Sequence, residues 1–464
     1  MSEEMKALRE QLLRNDKNGY DTLDEAQLAE MEAYCADYKA FLNEGKTERL
    51  SARAAIAAAE ERGFVQYKRG MALKAGDKVY TCNRGKGLML AVIGKESLAE
   101  GAQIAAAHID SPRLDLKPTP LYEDSEMAYF KTHYYGGIRK YQWVTIPLQL
   151  RGVVAKKDGS VVDVCIGEAG EPRLVITDLL PHLGGEQGRK PLNEAVPGET
   201  LNLLVGSRPI GDSEDKDRVK LHVMKRLHDK YGITESDFAS AELEAVPAAE
   251  AVDIGIDGSM IGSYGHDDRV CGYAALRALL DIETPDKTAV CVLADKEEIG
   301  SMGVTGMQSA AFDAFMSDLC DGQNVPLKAC FENAFCLSAD VTAAYDPNFA
   351  DVYEKKNAAF VNYGVGICKY TGARGKSGSS DANAETVAYV RAVLDGAGVR
   401  WQICELGKID AGGGGTVAQY MANRNIATLD AGVPVLSMHA PFEVVAKVDC
   451  YEMYRACKAL YEAR

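Results

Sequence analysis

The chain has 464 residues, enough for two domains or one elaborated domain, and its composition is that of a globular protein. Its formal net charge of −16 argues against nucleic acid as a partner, because a phosphate backbone would repel it. No stretch approaches the roughly 20 uninterrupted apolar residues of a membrane-spanning helix, and the N-terminus lacks the pattern of a signal peptide. We therefore expect a cytoplasmic protein without membrane or nucleic-acid partners.

The N-terminal part is predicted to be helical and to lead into buried strands. Residues 1 to about 65 include Ala- and Glu-rich stretches of strong helix formers without proline. From about residue 79 the pattern changes to short apolar runs, at Lys86–Val92 and Gln103–Ala107. Runs of this length and composition are typical of buried strands.

The middle region, residues 121–255, has a different sequence pattern. Two β-rich runs, Val144–Val154 and Val161–Ile166, flank the turn sequence Lys156-Lys-Asp-Gly. Helical character returns at about 216–230. We interpret this region as an inserted, mostly β domain.

Beyond residue 260, apolar runs of strand length alternate with helical stretches. The strand-like runs are Ala289–Ala294, Ala334–Ala339, Val399–Glu405 and Val433–Met438, and helices are expected at about 267–281, 306–317, 381–395 and 442–462. Such alternation favours an α/β fold in which helices cover both faces of a mostly parallel sheet. The strands before residue 120 would belong to the same sheet, which makes the middle region an insertion.

Acidic or imidazole groups follow directly after four of the apolar runs. They are His108 after Gln103–Ala107, the pair Glu297-Glu298 after Ala289–Ala294, Asp340 after Ala334–Ala339, and His439 after Val433–Met438. Because the carboxyl ends of parallel strands share one edge of a sheet, we expect these groups to lie together. Asp267, at a predicted helix start, would be a fifth contribution, although an aspartate there is more often only a helix cap.

This combination of groups predicts a metal centre. Two imidazoles with several carboxylates favour zinc, cobalt or manganese over magnesium or calcium. Two cations about 3.5–4 Å apart need one carboxylate to bridge them, an arrangement common in hydrolases. Asp110, two residues after His108, is placed to accept the free ring N–H of that histidine. Neighbouring strand residues point to opposite sides, so one of Glu297 and Glu298 would bind metal and the other would serve as a base.

The twelve cysteines are scattered and often lie inside apolar runs, as Cys165, Cys291, Cys336 and Cys404 do. None forms a Cys-x-x-Cys pair, so a structural zinc site is not expected. In a reducing cytoplasm, buried free thiols explain them better than disulfides.

Five motifs occur in order between residues 107 and 440, within a similarity that runs from about residue 10 to the C-terminus. They are Ala107-His-Ile-Asp-Ser-Pro, Gly265-His-Asp-Asp-Arg, Lys296-Glu-Glu-Ile-Gly-Ser, Ser338-Ala-Asp-Val-Thr-Ala-Ala and Ser437-Met-His-Ala. Together they resemble the aspartyl aminopeptidase family of dinuclear zinc exopeptidases. The resemblance implies a three-layer α/β/α catalytic domain, formed by residues 1–120 and 256–464, and a β-rich dimerisation domain inserted at 121–255.

The resemblance also implies a role for each candidate residue. One ion would be held by His108, Asp267 and Asp340, and the other by Asp267, Glu298 and His439. Glu297 matches the general base, with Asp110 beside the centre. His182 matches a histidine that acts as an oxyanion stabiliser in a neighbouring subunit, and Lys369 matches a substrate-binding lysine. The expected cofactors are two divalent ions per subunit, zinc first and otherwise cobalt or manganese.

Two loops expected near the substrate depart from the family pattern. Trp143 is followed by Val-Thr-Ile instead of x-Asp-Arg, and Gly375-Lys-Ser-Gly-Ser-Ser stands where the family has Gln-Arg-Tyr. The sequence therefore leaves open whether the enzyme prefers acidic N-terminal residues or accepts neutral ones. A deacylase or carboxypeptidase on the same metal core is a second hypothesis for the function, and a non-catalytic oligomeric scaffold is a third. The resemblance further implies peptide substrates and a homo-oligomer built from dimers, commonly a tetrahedral dodecamer.

Overall fold

The computed structural model describes residues 2–14, 16–372 and 374–464. Helices cluster at the N-terminus and in the second half of the chain. They are α1 (Glu3–Leu12), α2 (Glu25–Glu44), α3 (Glu48–Glu61), α4 (Leu192–Ala195), α5 (Arg218–Tyr231), α6 (His266–Leu280), α7 (Ala311–Asp321), α8 (Leu327–Asn333), α9 (Ala384–Gly396), α10 (Ala418–Ala422) and α11 (Lys447–Glu462). The N-terminal helices begin at capping side chains, with Asp24 before α2 and Thr47 before α3.

The strands before residue 250 belong to two sheets, the first four to one sheet and the next six to another. They are β1 (Val65–Gln66), β2 (Lys78–Asn83), β3 (Gly87–Val92), β4 (Ala102–His108), β5 (Arg113–Asp124), β6 (Met127–Tyr135), β7 (Leu148–Ala155), β8 (Val161–Ile166), β9 (Leu203–Gly206) and β10 (Ala241–Pro247). The second half adds β11 (Val252–Ile254), β12 (Met260–Ser263), β13 (Thr288–Ala294), β14 (Phe335–Ser338), β15 (Thr342–Ala343), β16 (Val365–Cys368), β17 (Trp401–Ile403), β18 (Ala427–Gly432), β19 (Pro434–Leu436) and β20 (Glu443–Ala446).

The central sheet has nine strands in the order β1-β2-β3-β13-β4-β14-β18-β16-β17. The strands β13, β4, β14 and β18 at its centre run parallel, whereas β3 is antiparallel to β13 and β16 is antiparallel to β18. The predicted α/β fold with a mostly parallel central sheet is confirmed. Its strands join residues before 110 to residues after 288, as the sequence pattern indicated.

Helices cover both faces of the central sheet because its strands are apolar on both sides. In β4, Ala105 and Ala107 face a core that includes residues of α2, α6 and α11. The alternate residues Ile104 and Ala106 face a second core with residues of α7, α8 and α10. This period of two explains why the parallel strands are nearly continuous apolar runs.

A separate six-stranded sheet, in the order β8-β7-β10-β5-β6-β9, is antiparallel throughout. Its strands come from residues 113–247, and α5 packs on it. It has a hydrophobic core of its own, which includes the fully buried Trp143. The predicted strands at Val144–Val154 and Val161–Ile166 correspond to β7 and β8.

A third sheet of five strands, in the order β11-β12-β20-β19-β15, lies outside the central sheet. The apolar run Val433–Met438 belongs here as β19, so its placement in the central sheet was wrong. The central sheet instead takes the preceding segment, β18, as the neighbour of β14. An apolar run shows that a strand is buried, but it does not show which sheet receives the strand.

One cysteine pair differs from the expectation of free thiols. Cys368, at the end of β16, forms a disulfide with Cys404, which follows β17. The two strands are parallel neighbours with Ile367 opposite Ile403, so the next residue of each strand brings the two sulfur atoms together. The other ten cysteines are free.

Candidate metal centre

Three parallel neighbours of the central sheet end at the same edge and bring candidate ligands there. His108 is the last residue of β4, the pair Glu297-Glu298 follows β13, and Asp340 follows β14. The register sets Ala294 opposite His108 and Ser338 opposite Ala106, so the three strands end almost level. The predicted meeting of these groups at one sheet edge is confirmed.

His439 reaches the same place from a different direction. It lies in the loop between β19 and β20 of the five-stranded sheet and has a positive φ of 66°. Its ring Nδ1 bonds to the carbonyl oxygen of Gly137 at 2.8 Å, which leaves Nε2 turned toward Asp267. The position of His439 therefore agrees with the prediction that it belongs to the centre. The reason given for that prediction was wrong, because His439 does not follow a strand of the central sheet.

Asp267 lies between the two histidines. Its Oδ1 is 3.2 Å from Nε2 of His108, and its Oδ2 is 3.2 Å from Nε2 of His439. Asp267 has ψ 108° at the start of α6 and is buried, so it does not serve as an ordinary helix cap. Its two oxygens face two different imidazoles, the arrangement that a bridging carboxylate requires.

Two groups of potential ligand atoms share Asp267. One consists of His108, Asp267 and Asp340, and the other of Asp267, Glu298 and His439; in each group the ligand atoms lie within 4.8 Å of one another. These are the two sets that the family resemblance implied. We call them the His108 triad and the His439 triad.

The pair Glu297-Glu298 is held differently from the prediction. The two residues lie in a short 3₁₀ turn, Glu297–Ile299, entered through Lys296 at a φ of 69°. The expectation that an extended strand points them to opposite sides was therefore wrong. Their backbone N–H groups both donate to Asp110, at 3.2 Å to Oδ1 and 3.2 Å to Oδ2. This places both side chains at the centre.

Asp110 lies beside His108 as predicted. Its Oδ1 is 3.3 Å from Nδ1 of His108, while its backbone oxygen is nearer, at 3.0 Å. The carboxylate is fully buried and accepts a further hydrogen bond from the Tyr135 hydroxyl at 2.8 Å. Both oxygens that face Nδ1 are acceptors, so the ring presents its Nε2 lone pair to the centre.

Two buried carboxylates that the sequence analysis missed support the ligands through the backbone. Glu443 accepts the N–H of Asp267 at 3.0 Å and the N–H of His439 at 2.6 Å. Asp268 accepts the N–H of His108 at 3.3 Å. The position of Asp268 beside Asp267 was a usable signal. Glu443, at the start of β20, lies only four residues after His439, but no pattern in the sequence distinguished it.

The carboxylates of the centre have shifted pKa values because they are buried close to one another and to two histidines. Burial and the neighbouring charge of Asp267 raise the pKa of Glu298 well above its ordinary value. Burial likewise raises the pKa of Glu297 to about 7. Burial alone would also raise the pKa of Asp267, but hydrogen bonds with His108 and His439 outweigh it and lower that pKa. Carboxylates crowded in this way favour either protonation or a cation that balances them.

The centre opens into a cleft of about 620 Å³. Besides the proposed ligands, the cleft is lined by the glycine-rich segment 413–415 and by apolar and uncharged side chains, among them Val341, Leu406, Tyr420 and Met438. Asp430 adds a further buried carboxylate, which accepts the Thr416 hydroxyl at 2.7 Å. Of the described residues that line this cleft, none is lysine or arginine.

Two predicted site residues lie outside the cleft of their own subunit. His182 is exposed in a turn of the segment that follows β8, and it does not line the cleft. Lys369 follows β16 but is not among the cleft-lining residues either, and its Nζ pairs with Asp381 at 2.5 Å. Neither residue is brought together with the two triads within one subunit.

Comparison with known proteins agrees with this geometry. The family described as aminopeptidase I zinc metalloprotease (M18) matches residues 41–461. The chain belongs to the M18 family. A probable M18 family aminopeptidase 1 of Clostridium acetobutylicum is 48% identical over 450 residues, covering 95% of this chain and 97% of the relative. This M18 chain is accordingly an aminopeptidase of a zinc metalloprotease family, a hydrolase of the exopeptidase class.

Solved structures give the same result for the fold. The crystal structure of an M18 aminopeptidase from Thermotoga maritima has a TM-score of 0.93 at 42% identity, covering 97% of this chain and 99% of that chain. Aminopeptidase I from Clostridium acetobutylicum has a TM-score of 0.91 at 46% identity, covering 97% and 100%. The Saccharomyces cerevisiae mApe1 dodecamer shares the fold, with a TM-score of 0.76 at 20% identity over 94% and 99%. The family resemblance inferred from the five motifs is confirmed.

Family membership favours the aminopeptidase over a deacylase, a carboxypeptidase or a non-catalytic scaffold.

Within the described ranges, none of the helices of this M18 chain is both long enough and apolar enough to cross a membrane.

Proposed function

We propose that this M18 aminopeptidase removes single N-terminal residues from peptides at a dinuclear centre bridged by Asp267. The observation that carries the proposal is the position of Asp267, whose two oxygens each lie 3.2 Å from a different imidazole. A carboxylate that served only one ion would not need both oxygens directed at ligands of separate groups. The His108 triad would hold one ion and the His439 triad the other.

The donor set fits two such ions. Each triad offers one imidazole nitrogen and two carboxylates, a combination suited to zinc and also to cobalt or manganese. Glu298 Oε1 is buried and has no hydrogen-bond partner among the described residues. A buried carboxylate oxygen without a partner is costly, and a cation would satisfy it. Zinc is the ion we propose first, because the family is a zinc metalloprotease family.

Glu297 is the residue we propose as general base. When bound, the two ions would polarise the scissile carbonyl and lower the pKa of the attacking water. Glu297, with Oε2 4.0 Å from Nε2 of His108, would take the proton of that water as its oxygen bonds to the carbonyl carbon. As the C–N bond breaks, Glu297 would return the proton to the leaving amine. Asp110 would keep the His108 ring and the Glu297 backbone in place.

We propose a neutral N-terminal residue as the preferred substrate rather than an acidic one. An acidic side chain entering the cleft would meet Asp430 and the carboxylates of the centre without a lysine or arginine among the described lining residues. Lys369, the candidate partner for an acidic side chain, is already paired with Asp381. The apolar side chains Leu406 and Met438 suit an uncharged substrate side chain.

We further propose that residues 121–255 form a dimerisation domain and that residues 1–120 and 256–464 form the catalytic domain. The separate core of the six-stranded sheet supports this division. The exposed position of His182 suits a group that completes the site of a neighbouring subunit as an oxyanion stabiliser. The yeast neighbour is a dodecamer, and we propose that this chain also forms a homo-oligomer built from dimers, such as a tetrahedral dodecamer. The proposed compartment is the cytoplasm.

A panel of aminoacyl p-nitroanilides tests the proposed function. Purified protein loaded with zinc, cobalt or manganese should hydrolyse Leu and Ala substrates faster than Glu and Asp substrates. N-acetyl-Leu p-nitroanilide should not be hydrolysed, because an aminopeptidase requires the free amine. Hydrolysis that persists after complete metal removal would contradict the metal centre. Faster hydrolysis of the acidic substrates would contradict the neutral preference alone.

A further inference from the structure

The residues at the end of β6 contact the His439 triad directly and reach the His108 triad through Asp110, although β6 belongs to the six-stranded sheet. Tyr135 is the last residue of β6, and Gly136 and Gly137 follow it directly. We call these three residues the β6 end segment. They approach the centre from a sheet other than the central one, whose strands supply His108 and Asp340.

Tyr135 acts on the His108 triad through Asp110. Its hydroxyl donates to Asp110 Oδ2 at 2.8 Å, and both side chains are buried. The same carboxylate accepts the backbone N–H groups of Glu297 and Glu298 and lies 3.3 Å from His108 Nδ1. One phenolic hydroxyl therefore fixes the carboxylate that orients a proposed ligand and the proposed base.

The two glycines act on the His439 triad. The carbonyl oxygen of Gly137 accepts His439 Nδ1 at 2.8 Å, and a Cβ at Gly137 would lie 3.2 Å from that nitrogen. Gly136 has a φ of 74°, and a Cβ there would lie 3.2 Å from both Cβ and Oε2 of Glu298. Each glycine thus leaves just enough space for a proposed ligand.

The β6 end segment is anchored in the six-stranded sheet. Arg113, at the start of β5, is the direct cross-strand partner of Tyr135, and its guanidinium lies 3.9 Å from the centroid of the tyrosine ring. Arg113 is in turn held by the buried carboxylates of Glu48 and Glu244, at 3.2 and 3.3 Å. Tyr135 cannot shift without β5 and β6.

We infer that the β6 end segment is a positioning element of the metal centre, with Tyr135 as its positioning residue. Through it, the six-stranded sheet sets how tightly both triads hold their ions. The inference rests on the proposed dinuclear centre. It assigns to the sheet of the proposed dimerisation domain a direct structural role in the active site of its own subunit.

Tyr135→Phe tests this role because it removes only the hydroxyl and keeps the ring over Arg113. Tyr129→Phe is the matched control, since Tyr129 lies in the same strand and, among the described residues, its hydroxyl hydrogen-bonds only to the sulfur of Met127, at 3.7 Å. Zn²⁺ affinity is measured by competition with a chromophoric chelator, and ligand geometry by the visible spectrum of the Co²⁺-loaded protein. Loss of such a supporting hydrogen bond typically weakens metal binding about 10–100-fold.

The expected result is weaker Zn²⁺ binding in this range and altered Co²⁺ bands for Tyr135→Phe, with wild-type behaviour for Tyr129→Phe. Gly137→Ala, which presses a methyl group against His439, should weaken binding independently of the tyrosine. Zn²⁺ affinity within about twofold of the wild type in either folded variant would overturn the inference, because supporting residues cost more than that. A wild-type protein that binds no Zn²⁺ would overturn the proposed centre itself, so the two failures are distinguishable.

Discussion

Glu297 and Glu298 are chain neighbours whose side chains have different surroundings. The Glu298 side chain is 3% exposed, and its Oε2 lies 3.6 Å from Nε2 of His439. The Glu297 side chain is 18% exposed, faces the cleft, and lies farther from any imidazole, at 4.0 Å. Burial beside a histidine suits a metal ligand, whereas partial access to the cleft suits a group that exchanges protons with substrate.

The pair therefore predicts two distinct phenotypes. Glu297→Gln should lower kcat by about 10²–10⁴-fold, the usual contribution of a general base, while both ions are retained. Glu298→Gln should instead lower the metal content of the protein. Steady-state kinetics and metal analysis of the two variants, prepared side by side, check this. Equal loss of metal in both variants would contradict the division of roles.

Lys369 gives a prediction about specificity. Lys369→Met should leave the ratio of kcat/KM for Leu and Glu substrates within about twofold, because an exposed ion pair contributes little and the lysine does not line the cleft. Lys376→Met is the matched control, since Lys376 pairs with the same Asp381 at 3.1 Å. A selective loss of activity on the Glu substrate in Lys369→Met alone would show that Lys369 recognises acidic residues.

The candidate ligands could be found from the sequence because each ends or follows a recognisable segment. His108 and Asp340 end apolar runs whose parallel arrangement places them together. Glu443 and Tyr135 could not be found in this way. Glu443 accepts a backbone N–H of a ligand and Tyr135 donates to Asp110, each from a sheet other than the central one, and no periodic pattern reports a contact between distant segments.

Among the elements, α3 and the strands β3, β5 and β10 meet at a buried cluster of charges. Glu48 of α3 lies 3.1 Å from Lys86, which directly precedes β3, and 3.2 Å from Arg113 of β5. Burial alone would raise the pKa of Glu48, but Arg113 and Lys86 outweigh it and hold that pKa at about 2. The cluster fastens the six-stranded sheet to the central sheet.

Glu48→Gln tests the contribution of this cluster to stability, through the pH dependence of unfolding. The lowered pKa means that Glu48 stabilises the folded state above pH 4.5 and that this stabilisation is lost as the pH falls toward about 2. The variant should lose about 3–5 kcal/mol at neutral pH, as for a broken buried ion pair, and its melting temperature should fall less steeply in acid. Thermal unfolding of metal-free protein across this pH range is the measurement.

Glu199→Gln is the control for this experiment. Glu199 pairs with Lys117 at 2.7 Å, but its side chain is 77% exposed, so its removal should leave the melting temperature close to that of the wild type. A Glu48→Gln variant with the wild-type melting temperature at neutral pH, or with an equally steep decline in acid, would contradict the assigned role of the cluster.

Element types were more predictable than sheet membership. Helical composition and apolar runs were enough to predict α5, α6, α9 and β13, because each is local in sequence. The assignment of β19 failed because β18 and β19 are separated by a single residue, Val433, and enter different sheets. The Cys368–Cys404 pairing was missed for a related reason, since it depends on which strands become neighbours.

For the whole molecule, the proposed role of His182 predicts complementation between subunits. His182→Ala should lower kcat by about 10²–10³-fold without loss of metal, as expected for a lost oxyanion donor. Mixing His182→Ala with Glu297→Gln under conditions of subunit exchange should restore activity. In a mixed dimer, one site combines an intact Glu297 with His182 from the other subunit. No recovery in demonstrably mixed oligomers would contradict action across the interface.

The bridge at Asp267 is tested most directly by an anomalous difference map, recorded at the zinc absorption edge from crystals of the zinc-loaded protein. We predict two peaks per subunit about 3.5–4 Å apart, both in contact with the Asp267 carboxylate. One should lie by His108 and Asp340 and the other by Glu298 and His439. A single peak, or two peaks of which only one contacts Asp267, would contradict the dinuclear centre.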